Sequence, residues 1–149
     1  MTLFFPDVNV WLALSDESHA HSAEAWCWFS GLDAGATVFF SRYTQLAFLR
    51  LVTNEAVLGR AALTLAEAWA AWDRWLEDPR VEYRDEGKGL SEEFRAALLP
   101  FGQRKAWKWV GDGFILAQAK HFQATLVTFD RALEKEALRQ HCRTIRPAD

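Results

Sequence analysis

Cysteine is scarce in this chain. The two present, Cys27 and Cys142, stand far apart and without zinc-ligand spacing. That excludes a disulfide scaffold and suits a reducing compartment, so the expected setting is cytoplasmic. Four histidines add no metal site by spacing: His19 and His21 are two apart and face different ways on a helix, while His121 and His141 are isolated. No apolar run approaches the ~20 residues of a membrane span, so no membrane partner is expected. The apolar opening, Met1 to Leu14, carries Asp7 in its middle and no basic n-region, unlike a secretory signal. Internal repeats, low-complexity tracts and linkers rich in Pro, Gly or Ser are missing as well. Nor is there a large excess of one charge: 17 Lys and Arg face 20 Asp and Glu, a net charge of -3. Any nucleic-acid binding must therefore rest on a local basic patch.

What is present is an ordinary globular composition, 50% hydrophobic and 25% charged over 149 residues. That length predicts one domain, residues 1–149, able to bury roughly 68–70% of the surface its unfolded chain exposes. Strand-like and helix-like patterns alternate, which predicts an α/β domain with a mainly parallel sheet. Strands are expected at Leu3–Phe5, Thr37–Phe40, Val81–Asp85, Thr125–Phe129 and Arg143–Ile145. Helices are expected from about Asn9 to Leu14, Ser18 to Phe29 (with Ala23, Trp26 and Ser30 on one face), Tyr43 to Thr53, Ser91 to Leu99, Gly111 to Phe122 and Arg131 to Arg139. Thr64-Leu65-Ala66-Glu67 fits a capping box, in which hydroxyl and carboxylate satisfy free backbone donors. The helix it opens carries Leu65, Trp69, Trp72 and Leu76 as an apolar stripe, for the core or for a partner subunit.

Three aspartates occupy comparable places. Asp7 follows the first strand and Asp130 the fourth, each before a helix; Asp112 opens the helix that continues through Gly113. In an open α/β sheet, ligands bind beyond the carboxyl ends of the strands, where all three can converge. Taken singly, each is as well read as a helix cap. Taken jointly, clustered carboxylates repel and call for a cation, and hard oxygen ligands suit Mg2+ or Mn2+. Such an ion can activate water against a phosphodiester.

The stretch Asp7-Val8-Asn9-Val10-Trp11-Leu12-Ala13-Leu14 resembles the opening of a PIN domain. Val110-Gly111-Asp112-Gly113-Phe114-Ile115-Leu116-Ala117 resembles that family's third acidic motif, and Leu126-Val127-Thr128-Phe129-Asp130 its fourth. Their order and spacing match over essentially the whole chain, with VapC-type toxins of toxin–antitoxin pairs as the subgroup most alike. The resemblance implies a three-layer α/β/α fold and a Mg2+- or Mn2+-dependent endoribonuclease with Asp7, Asp112 and Asp130 as catalytic, metal-binding residues. It also implies an RNA substrate, a cognate antitoxin that blocks the site, and a homodimer. One departure stands out. The family usually places a Glu near Ala47, whereas Ser41 to Asn54 contains no acidic residue. Thr44-Gln45-Leu46-Ala47-Phe48-Leu49-Arg50 instead resembles a Thr-Gln-x-x-Phe-x-Arg variant. Gln45 offers an uncharged oxygen, and the missing Glu makes a catalytically weak RNA- or protein-binding module the rival reading.

Accessory candidates follow. Asn9 can orient Asp7 or simply start a helix; Thr128, two before Asp130 on a strand, points the same way as Asp130. Thr44 is either an N-cap or a site residue, and Arg50 can reach phosphate or pair with a carboxylate. Arg104, Lys105 and Lys108, interleaved with Trp107 and Trp109, form either an RNA track or a solvated face over core tryptophans.

Overall fold

Five short β-branched or aromatic runs become strands in the computed structural model, which describes residues 2–148; Met1 and Asp149 lie outside the described residues. They are β1 (Leu3–Pro6), β2 (Thr37–Phe40), β3 (Val81–Tyr83), β4 (Thr125–Val127) and β5 (Thr144–Ile145). They form one sheet in the order β3-β2-β1-β4-β5, and all four pairings are parallel. The intervening segments supply α1 (Val8–Ser15), α2 (Ser22–Ser30), α3 (Arg42–Val52), α4 (Glu55–Leu58), α5 (Leu65–Glu77), α6 (Leu90–Leu98), α7 (Trp107–His121) and α8 (Arg131–Arg139).

Strand alternation sends successive side chains to opposite faces, and each face acquires its own core. Val38 and Phe40 of β2 pack with Trp11, Phe48 and Trp72 from α1, α3 and α5. Between them in sequence, Phe39 turns the other way, to Phe5, Leu126 and the Ile115, Leu116 and Leu133 side chains of α7 and α8. The result is a three-layer α/β/α sandwich. Aromatic stacking marks both interfaces: Trp11 lies on Phe40 at 3.8 Å between ring centroids, and Phe5 on Phe39 at 4.7 Å.

Two helical expectations change. The helix expected from Ser18 begins only at Ser22, because the Asp16 carboxylate accepts from both the backbone N–H and the hydroxyl of Ser18, a local turn that competes with helix. Its buried face is Ala25 and Phe29, whereas Ala23, Trp26 and Ser30 are exposed. On α5 the Thr64–Glu67 capping box forms as expected. The helix nevertheless buries Ala68 and Trp72, so of the anticipated stripe Leu65, Trp69 and Leu76 face outward and Trp72 alone faces in. The sheet instead buries the arc that carries small Ala68 and the ring that meets Phe40.

This orientation is testable on one helix. Trp72 is 5% exposed and its ring sits 4.5 Å from that of Phe40, whereas Trp69 is 46% exposed. In urea titrations Trp72→Ala is expected to cost about 3–5 kcal/mol and Trp69→Ala about 0.5 kcal/mol or less. Equal losses would contradict the packing.

Candidate functional site

The strand order places a topological switch beside the central strand. From β1 the sheet grows outward through β2 and β3 on one side and through β4 and β5 on the other. Crevices that bind ligands open at such a point, beyond the strands' carboxyl ends. Asp7 leaves the end of β1 there, its N–H bonded to the Val127 carbonyl of β4 at 2.9 Å. Thr128 leaves β4 beside it and is fully buried. Its hydroxyl donates to Asp7 Oδ2 at 3.2 Å and accepts from the Asp130 N–H at 3.0 Å. One hydroxyl thus ties together two of the predicted carboxylate positions.

Cap and ligand prove compatible roles. Asp7 accepts from the Val8 N–H through Oδ1 at 2.6 Å, and Asp130 caps α8 through Oδ1 from Ala132 and Leu133 at 2.9 and 3.0 Å. Each cap occupies one oxygen, and Asp130 Oδ2 has no hydrogen-bond partner among the described residues. Asp112 differs from expectation: α7 begins at Trp107, so Asp112 lies in its second turn rather than opening the helix and cannot be its N-cap. The glycines flanking Asp112 looked like a helix boundary. They are instead places where neighbours come close, since a Cβ on Gly111 would stand 2.6 Å from the Tyr43 hydroxyl and one on Gly113 2.5 Å from Leu98. Close packing thus offsets the helix penalty of glycine.

The carboxylates act on one another. Burial raises Asp7 to about 6, helped by the charges of Asp112 and, less, Asp130. Asp112 is also raised to about 6, by burial and then by Asp130. These hard, anionic oxygens suit a divalent cation better than a soft metal. Among the described residues no three His, Cys, Asp or Glu side chains close into a ready-made cage, so an ion here would draw further ligands from water or substrate.

The accessory candidates separate. Thr44 is buried at the third position of α3 as the reciprocal partner of Ser41, which is the actual N-cap. Gln45 is buried, and its Oε1 accepts from Arg42 Nη1. Asn9 is exposed and makes no hydrogen bond to Asp7. Arg50 is exposed and forms no ion pair with the three aspartates among the described residues. Upstream of Asp112, Arg104, Lys105 and Lys108 are exposed; Trp107 is 76% exposed with Lys108 Nζ 5.6 Å from its ring, so it is no core residue. Trp109 is half-buried, stacked on Phe101.

Sequence reasoning missed Tyr43. Burial raises its phenol, and the charges of Asp112 and Asp7 add to this, so the hydroxyl stays protonated beside the acidic crevice. Gly111 was the available signal, a glycine inside a helix where something must approach.

The raised carboxylates predict a direction for stability. Asp7 binds its proton more tightly folded than unfolded, so in chelator its contribution is complete below pH 4 and is lost as pH rises through about 6. The loss is on the order of 3 kcal/mol. Asp112→Asn removes one repelling charge, and in EDTA it is expected to melt above wild type at pH 8, with the gap closing toward pH 4. An Asp112→Asn protein melting below wild type at pH 8 would show that repulsion is not the governing effect.

Comparison with known proteins bears on the fold and the family. The family model described as PIN domain matches residues 4–137. Ribonuclease VapC41 from two Mycobacterium tuberculosis strains is 37% identical over 131 residues, covering 85% of this chain and 88% of the relative. Among solved structures, the Rickettsia felis VapBC2 complex bound to a promoter DNA fragment superposes with a TM-score of 0.71 at 13% identity, covering 97% of this chain and 98% of that one. Mycobacterium tuberculosis VapC20, described as a sarcin-ricin loop cleaving toxin, gives 0.65 at 19% identity and coverage of 89% and 93%. The family model over most of the chain and the relationship to VapC41 together assign the chain to the PIN-domain family.

Proposed function

We propose that this chain is an endoribonuclease toxin of a toxin–antitoxin pair, hydrolysing RNA phosphodiester bonds with help from a divalent cation. The observation that carries the reading is the mutual influence of three aspartates beside the β1–β4 switch, where the charges of Asp112 and Asp130 act on buried Asp7 and two of the carboxyls are raised to about 6. The relationship to a ribonuclease at 37% identity supports it. Asp7, Asp112 and Asp130 would hold Mg2+ or Mn2+, with water and substrate phosphate completing the shell. When bound, such an ion supplies positive charge to the phosphodiester and acidifies water.

The chain's own side chains do the positioning. Thr128 fixes the Asp7 carboxylate and the start of the Asp130 cap with one hydroxyl. Tyr43, protonated at the crevice edge, is a neutral donor for a phosphate oxygen. Exposed Trp107, with Lys108, Lys105 and Arg104 around the start of α7, gives single-stranded RNA an indole face and cations leading toward Asp112. The reading includes a cognate antitoxin as partner, a homodimer and a cytoplasmic setting. The uncovered arc of Leu65, Trp69 and Leu76 supports contact with another protein surface. A binding module without catalysis is the second reading, favoured by the absence of an acidic residue from 41 to 54 and by the commitment of Gln45 to Arg42.

Incubation with mixed cellular RNA separates the two. Cleavage is expected only with Mg2+ or Mn2+ and is expected to fall about 100-fold or more in Asp7→Asn and Asp112→Asn. Mn2+ should also raise the melting temperature of wild type but not of either variant. Folded wild type that binds RNA and cuts none of it, with either ion, would establish the module instead.

A further inference from the structure

Near the aspartates lies a cleft of about 340 Å³ between the carboxyl ends of β2 and β3 and one face of α7. Its walls are aromatic. Tyr43 and Phe114 meet edge to face at 5.3 Å, and Tyr83 and Phe122 also line it. Tyr43 links the cleft to the aspartates: its ring is a wall of the cleft, and its hydroxyl lies against Gly111, one residue from Asp112. A polynucleotide with a phosphate at the carboxylates would therefore have its neighbouring base at the cleft.

The polar groups of the cleft are mostly acceptors. Gln118 is 2% exposed, and its Nε2 is fixed by donating to the Phe114 carbonyl at 3.1 Å. Its Oε1 has no hydrogen-bond partner among the described residues, yet it is not one of the solvent-excluded orphan atoms, so it is left to the cleft. Asp85 accepts from the Tyr83 hydroxyl at 2.8 Å and retains a second oxygen, and Glu86 adds another carboxylate. Arg42 is the one cation in the lining, and it is occupied with the Tyr83 ring and Gln45. Aromatic walls accept a planar ring, while this acidic lining repels phosphate and rewards N–H donors.

We propose that this cleft seats one nucleobase of the substrate beside the scissile phosphate, and that Gln118 Oε1 with the flanking carboxylates selects a base bearing an exocyclic amine over uracil. The proposal rests on the ribonuclease reading given above. Single-stranded RNA is read in this way, by stacking unpaired bases and hydrogen-bonding their edges. Uracil fits less well because its edge offers a single N3–H donor flanked by two carbonyl oxygens that meet acceptors, whereas adenine, cytosine and guanine each offer an amino group with two N–H donors.

Two measurements test it. In the first, the ends of RNA cut by wild type and by Gln118→Leu are sequenced. Wild type should disfavour uridine about tenfold at one fixed position next to the cut, and among the ends that Gln118→Leu produces uridine should appear there as often as the other bases. An unchanged bias in the variant would overturn the proposal. In the second, binding of adenosine, cytidine, guanosine and uridine 5′-monophosphates is followed by NMR, with no dependence on cleavage. Wild type should bind the first three at least about fivefold more tightly than uridine monophosphate, and Tyr83→Leu, checked for its melting transition, should lose about fivefold or more. Equal binding of all four, or none, would overturn the cleft assignment even if RNA is cut. Selective binding by a protein that cuts no RNA would uphold the cleft and reject the ribonuclease reading.

Discussion

The burial of one carboxylate at the end of the central strand organises the rest of this molecule. Asp7 is 7% exposed at the sheet's switch point, where a charged group is costly unless hydrogen bonds and a counter-charge compensate it. Part of the compensation is built into the chain, as the Val8 N–H and the Thr128 hydroxyl both donate to it. The remainder is missing by design of the site, because Asp112 and Asp130 add charge of the same sign. A fold that spends stability in this way leaves like-charge repulsion that a bound cation would relieve, which is the basis of the metal-binding reading proposed above.

The supporting structure serves that placement. Parallel pairing of β1 with β4 brings Asp7 and Thr128 to the same sheet edge, and the turn into α8 returns Asp130 to the same hydroxyl. Asp112 arrives from the opposite layer on α7, whose glycines let Tyr43 and Leu98 close against it. The same approach makes Tyr43 a partition between two regions of different chemistry. One is acidic and suited to an ion and phosphate; the other is aromatic and acceptor-rich.

Much of this architecture was legible along the chain, for local reasons. The α8 bounds of Arg131–Arg139 follow from an Asp cap and a strong polar–apolar period, and β2 from four consecutive β-branched or aromatic residues. The Thr64–Glu67 box needed no more than two side chains and their own backbone. Apart from the start of α2, which the local Asp16–Ser18 turn delays, reading failed where the deciding contact was distant in sequence. Trp72 rather than Trp69 faces in because Phe40 is there to receive it, and α7 continues back through Gly113 and Gly111 to Trp107 because other elements fill the space their missing side chains leave.

The site divides along the same line. Sequence by itself determined an alternating α/β chain, the three aspartates and their likeness to a PIN domain, since caps, periods and motif spacing are properties of neighbouring residues. Tertiary structure alone decided that one Thr128 hydroxyl joins Asp7 to the start of the Asp130 cap, and that Tyr43 stands against Gly111 beside Asp112. Those outcomes depend on which side chains meet across layers and on how burial and neighbouring charge move a carboxylate, and neither quantity exists until the sheet has brought the strand ends together.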